Sequence, residues 1–286
     1  MSEKIEYALI RVTVNGDISK PLDTLIRKVS KGFGRLYEPY YIKRKASAES
    51  EAALIKAQAE TQMTELQQRA LDRLIVEEAK KQKNIEDIIA QTSPYLKENA
   101  DADLIDDDWL TNFVDKSRII SDKEMQEIWA RLLAGEVNDP GTYSRRTVNF
   151  ISDFDKTDAD LFTKLCGFCW IIGGKVPLFF NLYGEIYKNN GIYYESIKHL
   201  EDIGLIQVNE PNVFYRINLP QKFNVNYYDQ SLGLECPNGP NDRLNIGHVK
   251  LSKIGQELFP ICGSKPVEGF IEYVKENWKS FSPQIL

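Results

Sequence analysis

Histidine is almost missing from this chain. Only His199 and His248 occur in 286 residues, which leaves little for Ser-His-Asp or Cys-His catalysis. Neither GxSxG nor GxxxxGK[ST] is present. Gly32-Phe33-Gly34 lacks the third glycine of a phosphate loop and reads as punctuation. Four cysteines are too few for a disulfide framework at this length, and a reducing cytoplasm fits them best. No run of about 18 apolar residues exists, so a spanning helix is not expected. The most apolar stretch, 168–182, is broken by Gly173, Gly174, Lys175 and Pro177 and reads as buried core plus a turn. Residues 1–6 lack the basic-then-apolar pattern of a secretory signal. These absences point to a cytoplasmic protein with no cofactor and no enzyme signature.

What is present is helix-forming and unevenly charged. The net charge is -6, which argues against nucleic-acid binding by the whole surface. Residues 1–45 hold ten Lys/Arg and five Asp/Glu, a net of +5, so the remainder carries -11. Residues 7–14 (YALIRVTV) are rich in β-formers and predict one short strand. Pro21 then opens a short helix whose stripe is Leu22, Leu25, Ile26, Val29 and Phe33. Arg27, Lys28 and Lys31, with Lys43, Arg44 and Lys45 beyond, are candidates for an anionic partner. Membrane contact through 20–45 is the less favoured use of this head, and packing within an oligomer the more favoured. Between 41 and 91 there is neither Pro nor Gly. One helix of that length would reach roughly 75 Å, so it predicts a coiled-coil-like stalk. Leu54, Met63, Leu66, Leu71, Leu74 and Ile75 are its candidate oligomerisation residues.

The expected organisation is thus a mainly α protein. A strand and basic amphipathic helix fill 1–38, the helical stalk 39–93, an acidic linker 94–106, and a compact helical domain 107–286. Ser121-Asp122-Lys123-Glu124 predicts a capping box, followed by the stripe Met125, Ile128, Trp129, Leu132 and Leu133. Helical spacing runs from Leu161 through Phe162, Leu165, Phe168 and Cys169 to Ile172. About 182–262, the order helix, turn, helix, extended segments at 205–209 and 212–218, then LSKIGQEL at 251–258 resembles a winged helix, with an insert at 220–244. The resemblance implies an α/β portion and nucleic-acid contact through Tyr193, Lys198, His199 and Arg216. A last helix is expected from Pro266, burying Val267, Phe270, Ile271, Val274 and Trp278.

Several phrases are similar to an uncharacterised bacterial family defined by a C-terminal domain of unknown function. They are EPYYIKRKA at 38–46, EEAKKQKNIE at 77–86, DDWLTNFVDKSRIISDKEMQEIWARLLAGE at 107–136, LFTKLCGF at 161–168 and ICGSKPVEGF at 261–270. The resemblance covers most of 38–286 and implies no settled chemistry. Proteins with similar modules are suspected of roles in bacterial or prophage defence.

Cys166-Gly167-Phe168-Cys169 is a CxxC, and zinc would need two further ligands from Cys236, Cys262, His199 or His248. None of these forms a second tight pair, so buried structural cysteines are the expected reading, ahead of zinc and of redox chemistry. The acidic run 99–108 lacks the turn glycine and terminal Glu of a calcium loop and reads as a solvated linker. The favoured function is a non-enzymatic oligomeric interaction or sensor protein with a protein partner. A DNA-binding regulator is second, weakened because 193–222 carries Lys198, Arg216 and Lys222 against four carboxylates. A metal-dependent effector nuclease using Asp106, Asp107 and Asp108 is third.

Overall fold

A computed structural model of the chain describes residues 2–7, 10–15, 19–31, 64–239 and 241–285. The chain divides into two units, Met1–Asp153 and Phe154–Leu286.

The first unit opens with strands β1 (Ser2–Tyr7) and β2 (Ile10–Asn15), antiparallel with Tyr7 opposite Ile10. Two strands therefore stand where the sequence suggested one. Helix α1 occupies 20–31 and buries Leu22, Leu25, Ile26 and Val29 within the unit. Helix α2 (Glu65–Thr92) starts at a capping box between Thr64 and Gln67 and buries Asn84, Ile85, Ile88, Ile89 and Thr92 near its end. Helices α3 (Asp107–Ser117), α4 (Lys123–Asn138) and α5 (Arg145–Ser152) follow. Aspartates start the first two. Asp106 accepts from the Trp109 N–H at 2.8 Å. Asp122 accepts from the Glu124 and Met125 N–H groups at 3.0 Å each. The α4 cap is thus Asp122 rather than Ser121, because its carboxylate meets two free amides at once. An aromatic row fills the core: Trp109 stacks on Phe113 at 5.3 Å, and Phe113 meets Trp129 edge-on at 5.2 Å.

The second unit begins with α6 (Lys156–Cys166), capped by Asp155. The expected helical run through Cys169 to Ile172 is not formed. Gly167 caps α6, and β3 (Cys169–Ile171) follows at once. β3 turns through Gly173 and Gly174, at φ +58° and +147°, into β4 (Lys175–Pro177). Those positive φ values suit residues without a Cβ. Short helices α7 (Glu185–Lys188) and α8 (Tyr194–Asp202) lead into β5 (Ile206–Val208) and β6 (Phe214–Arg216). Next come β7 (Lys222–Tyr227), β8 (Gln230–Glu235), β9 (Leu244–Gly247) and β10 (Val249–Leu251). Helices α9 (Lys253–Leu258) and α10 (Phe270–Asn277) and the short β11 (Gln284–Ile285) complete the unit. Helix α10 begins after Gly269, not at Pro266, and buries Phe270 and Val274.

Strands β11, β8, β7, β3 and β4 form, in that order, a five-stranded antiparallel sheet. This sheet corrects the mainly α expectation. The segment read as an insert, 220–244, supplies two of its strands. The extended segments at 205–209 and 212–218 do not pair with each other as the wing of a winged helix would: β5 pairs with β10, and β6 with β9. The long coiled-coil stalk is likewise not seen. Of 39–93, residues 64–93 are described, and the last third of α2 packs on α4 inside the first unit. Leu54 and Met63, with Lys43, Arg44 and Lys45, lie outside the described residues. Among the described residues no helix is long and apolar enough to cross a membrane.

Candidate functional site

Among the described residues, helix α2 carries five exposed large apolar side chains. Leu66, Ile75 and Val76 are 69%, 59% and 68% exposed, and Leu71 and Leu74 are each 40% exposed. All lie in its N-terminal two-thirds, before the buried Asn84. The basic helix α1 is tied to its own unit. The Lys28 ammonium donates to the carbonyls of Asp103 (2.8 Å) and Ile105 and stands 3.6 Å from the Asp107 carboxylate. Arg27 pairs with Asp23 one turn back, and Lys31 is exposed. The acidic run is similarly engaged: Asp101 and Asp106 accept backbone amides, and Asp108 stands 3.7 Å from Arg145.

The four candidates for nucleic-acid contact are not gathered into a basic face. Lys198 is paired with Glu201, and His199 Nε2 is 2.6 Å from the Asp158 carboxylate. Tyr193 is 52% exposed. Arg216 sits against the β3–β4 turn, where a Cβ on Gly174 would come within 3.4 Å of its guanidinium.

The second unit does bring together three cysteines that sequence separates. Cys166 closes α6 and Cys169 opens β3. Cys262 follows the 3-10 turn Phe259–Ile261 after α9. The Cys166 thiol is hydrogen-bonded to the thiols of both Cys169 and Cys262. Gly167 makes this approach feasible: a Cβ there would fall 2.9 Å from the Lys265 carbonyl oxygen. Thr163, one turn earlier on α6, donates its hydroxyl to the Cys262 carbonyl at 3.0 Å. The Tyr227 hydroxyl donates to the Gly167 carbonyl at 2.7 Å and accepts the Val267 N–H at 2.6 Å. Segment 262–267 is thereby fastened along the end of α6.

The three thiols differ electrostatically. Cys166 is fully buried, and burial pushes its thiol well above the usual range. The Cys262 thiol is lowered to about 7, first by the hydrogen bond from Cys166 and then, against burial, by the Ser264 N–H and hydroxyl. The Tyr228 hydroxyl bonds Ser264 Oγ at 2.9 Å. When protonated, Cys262 has the Phe259 carbonyl as acceptor at 3.1 Å. Lys175 lies in the field of all three sulfurs, and burial lowers its own pKa. Its Nζ donates to the Gln256 carbonyl at 3.2 Å and sits over the Phe259 ring at 5.4 Å. A cleft of about 270 Å³ opens here, lined by Cys169, Tyr228, Phe259, Gly263 and Ser264 among others. Among the described residues no group of three His, Cys, Asp or Glu is arranged to hold a metal ion. The CxxC is visible in the sequence, where Cys262 is one of four candidate partners for it, and no local pattern places Cys262 rather than the others against Cys166.

No curated protein matches the chain, and no solved structure matches it. A family model does, over residues 68–275. That span takes in α2 from its first turn, all three cysteines and the five-stranded sheet apart from β11. The chain belongs to the family described as "Protein of unknown function (DUF2806)".

Proposed function

We propose that the chain is a non-enzymatic interaction protein that self-associates through α2, along the strip Leu71, Leu74 and Ile75. The exposure of these three large apolar residues at i, i+3 and i+4, on one side of the helix, carries this reading. Large side chains left in water forgo roughly 1.5–3 kcal/mol each relative to full burial, and a helical segment without tertiary packing is marginal alone. The occupant that fits is a second copy of the same helix. Residues 65–81 carry four acidic groups (Glu65, Asp72, Glu77, Glu78) and four basic ones (Arg69, Arg73, Lys80, Lys81), a net of zero. Two such surfaces can meet about a twofold axis without net repulsion. The engagement of Lys198 and His199 by carboxylates ranks protein contact above duplex DNA.

The resemblance to proteins suspected in defence makes phage infection the first setting in which to seek a further partner. Sedimentation of the full-length protein tests the reading directly. A dimer or larger species is expected at micromolar concentration, and Leu71→Glu with Ile75→Glu should weaken it about 100-fold or more. A monomer at tens of micromolar, or an oligomer indifferent to both substitutions, removes the proposal.

A further inference from the structure

We propose that Cys262 and Cys166 form a peroxide-reactive thiol pair, with Cys262 as the attacking sulfur and Cys166 as the resolving one. The argument begins with position. Cys262 is part-exposed beside the cleft, whereas Cys166 is buried behind it. Cys169 lines the cleft but is itself buried, so of the three thiols Cys262 alone keeps part of its surface open to a small oxidant. The thiolate is the nucleophile in such chemistry, and the surroundings of Cys262 favour that form. Hydrogen bonding from Cys166 and from the Ser264 N–H and hydroxyl lowers its pKa against burial. The Lys175 ammonium adds positive potential. Cys166 instead ends a helix, where the dipole is negative, and is fully desolvated, so it stays protonated and serves as donor.

Cys262 is only part-exposed, which favours a small hydroperoxide over a bulky disulfide. The Cys262 thiolate attacks one peroxide oxygen, the O–O bond breaks, and the departing alkoxide or hydroxide takes up a proton. Cys262 is left as a sulfenic acid. Cys166 then attacks that sulfur; the S–S bond forms, the S–O bond breaks, and the Cys166 proton leaves with the hydroxyl as water. The two thiols lose two electrons and the peroxide gains them. The resolving thiol is already in hydrogen-bond contact with its target. The Thr163–Cys262 bond holds the two backbones together at 3.0 Å, so little rearrangement is needed. Cys236, buried elsewhere and donating to the Pro220 carbonyl, takes no part.

The test uses reduced full-length protein, hydrogen peroxide as the probe, alkylation of remaining thiols and peptide mass mapping. The expected product is an intramolecular Cys166–Cys262 disulfide. Cys262→Ser should slow peroxide-dependent thiol loss about tenfold or more. Cys166→Ser should leave a sulfenic acid on Cys262 that a dione reagent captures. Cys236→Ser should leave the rate unchanged. In the wild-type protein, alkylation of Cys262 should rise with pH to half its maximum near 7, where an ordinary thiol needs about 8.5. A disulfide that maps to Cys166–Cys169 or between chains overturns the proposal. So does equal peroxide reactivity of all four thiols, or a Cys262 profile with an ordinary midpoint. These wild-type readouts decide the matter even where a substitution at the buried Cys166 impairs folding.

Discussion

Among the described residues many side chains are held by backbone groups, and Glu136 is a sharp case. It is 2% exposed. Its carboxylate accepts the Gly141 N–H at 2.6 Å and the Tyr143 N–H at 2.9 Å, closing the loop between α4 and α5. The neighbouring Gly135 lets Tyr143 lie flat on α4, since a Cβ there would stand 2.5 Å from the ring. The phrase LLAGE was readable as the end of a helix, but its Glu was not marked as buried. A lone carboxylate near a helix end ordinarily faces water, and nothing local announces the two amides that arrive from residues 141 and 143. Removing it strands the Tyr143 amide in the interior and frees the loop at Gly141. Glu136→Ala should cost about 2–4 kcal/mol, read from the urea midpoint, and Glu136→Gln less, because one acceptor survives.

At the scale of elements, the join between α2 and α4 combines an apolar seam with a polar network. Ile85, Ile88 and Ile89 supply the seam. Gln126 is wholly buried; its amide donates to the Ile120 carbonyl at 2.9 Å and its oxygen accepts from Gln91 and Lys123. Asp87 on α2 reaches Lys123 on α4 at 2.6 Å and Lys83 at 2.7 Å. Burial raises the pKa of Asp87, but the two ammonium groups outweigh it and the net shift is downward from 3.8. A carboxyl lowered on folding adds stability above its unfolded value, and that stability is lost as pH falls through the lower folded value. Acid titration of unfolding should thus show an Asp87 contribution that fades below about pH 4 and is absent in Asp87→Asn. Lys123 is 65% exposed, so at neutral pH the substitution should cost only about 0.5 kcal/mol. The α4 stripe was legible because Met125, Trp129, Leu132 and Leu133 repeat at helical spacing. Strands β7 and β8 were not. Phe223, Val225 and Tyr227 do alternate, but the intervening Lys222, Asn224 and Asn226 are polar, and Gly233 interrupts its partner. That alternation was the available signal. It is outweighed in the sequence by the helix–turn–helix pattern on one side and LSKIGQEL on the other, between which 220–244 reads as an insertion.

For the molecule as a whole, the decisive fact is that each unit closes a core of its own. The first is organised on Phe113 and Trp129. The second gathers Trp170, stacked on Tyr227 at 5.0 Å, with Trp278 edge-on to it at 5.6 Å and Phe270 against Phe168 at 4.9 Å. A chain of 286 residues has room for about two domains; helical spacing marks Trp129, Phe168, Phe270 and Trp278 as core, but nothing local marks Phe113, Trp170 or Tyr227. The sheet that unites the second unit depends on pairings across long separations, such as Ile171 with Asn226, which no local pattern records. Two self-contained cores should unfold in two transitions rather than one. The assignment can be made by substitution. Trp278 is 1% exposed and donates its indole N–H to the Asn245 carbonyl at 2.7 Å, so Trp278→Ala should destabilise by about 3–5 kcal/mol. Differential scanning calorimetry should show Trp278→Ala lowering one transition and Glu136→Ala the other. The double variant should lower both by the amounts of the singles. A single transition displaced equally by either substitution would mean that the two cores melt as one cooperative body.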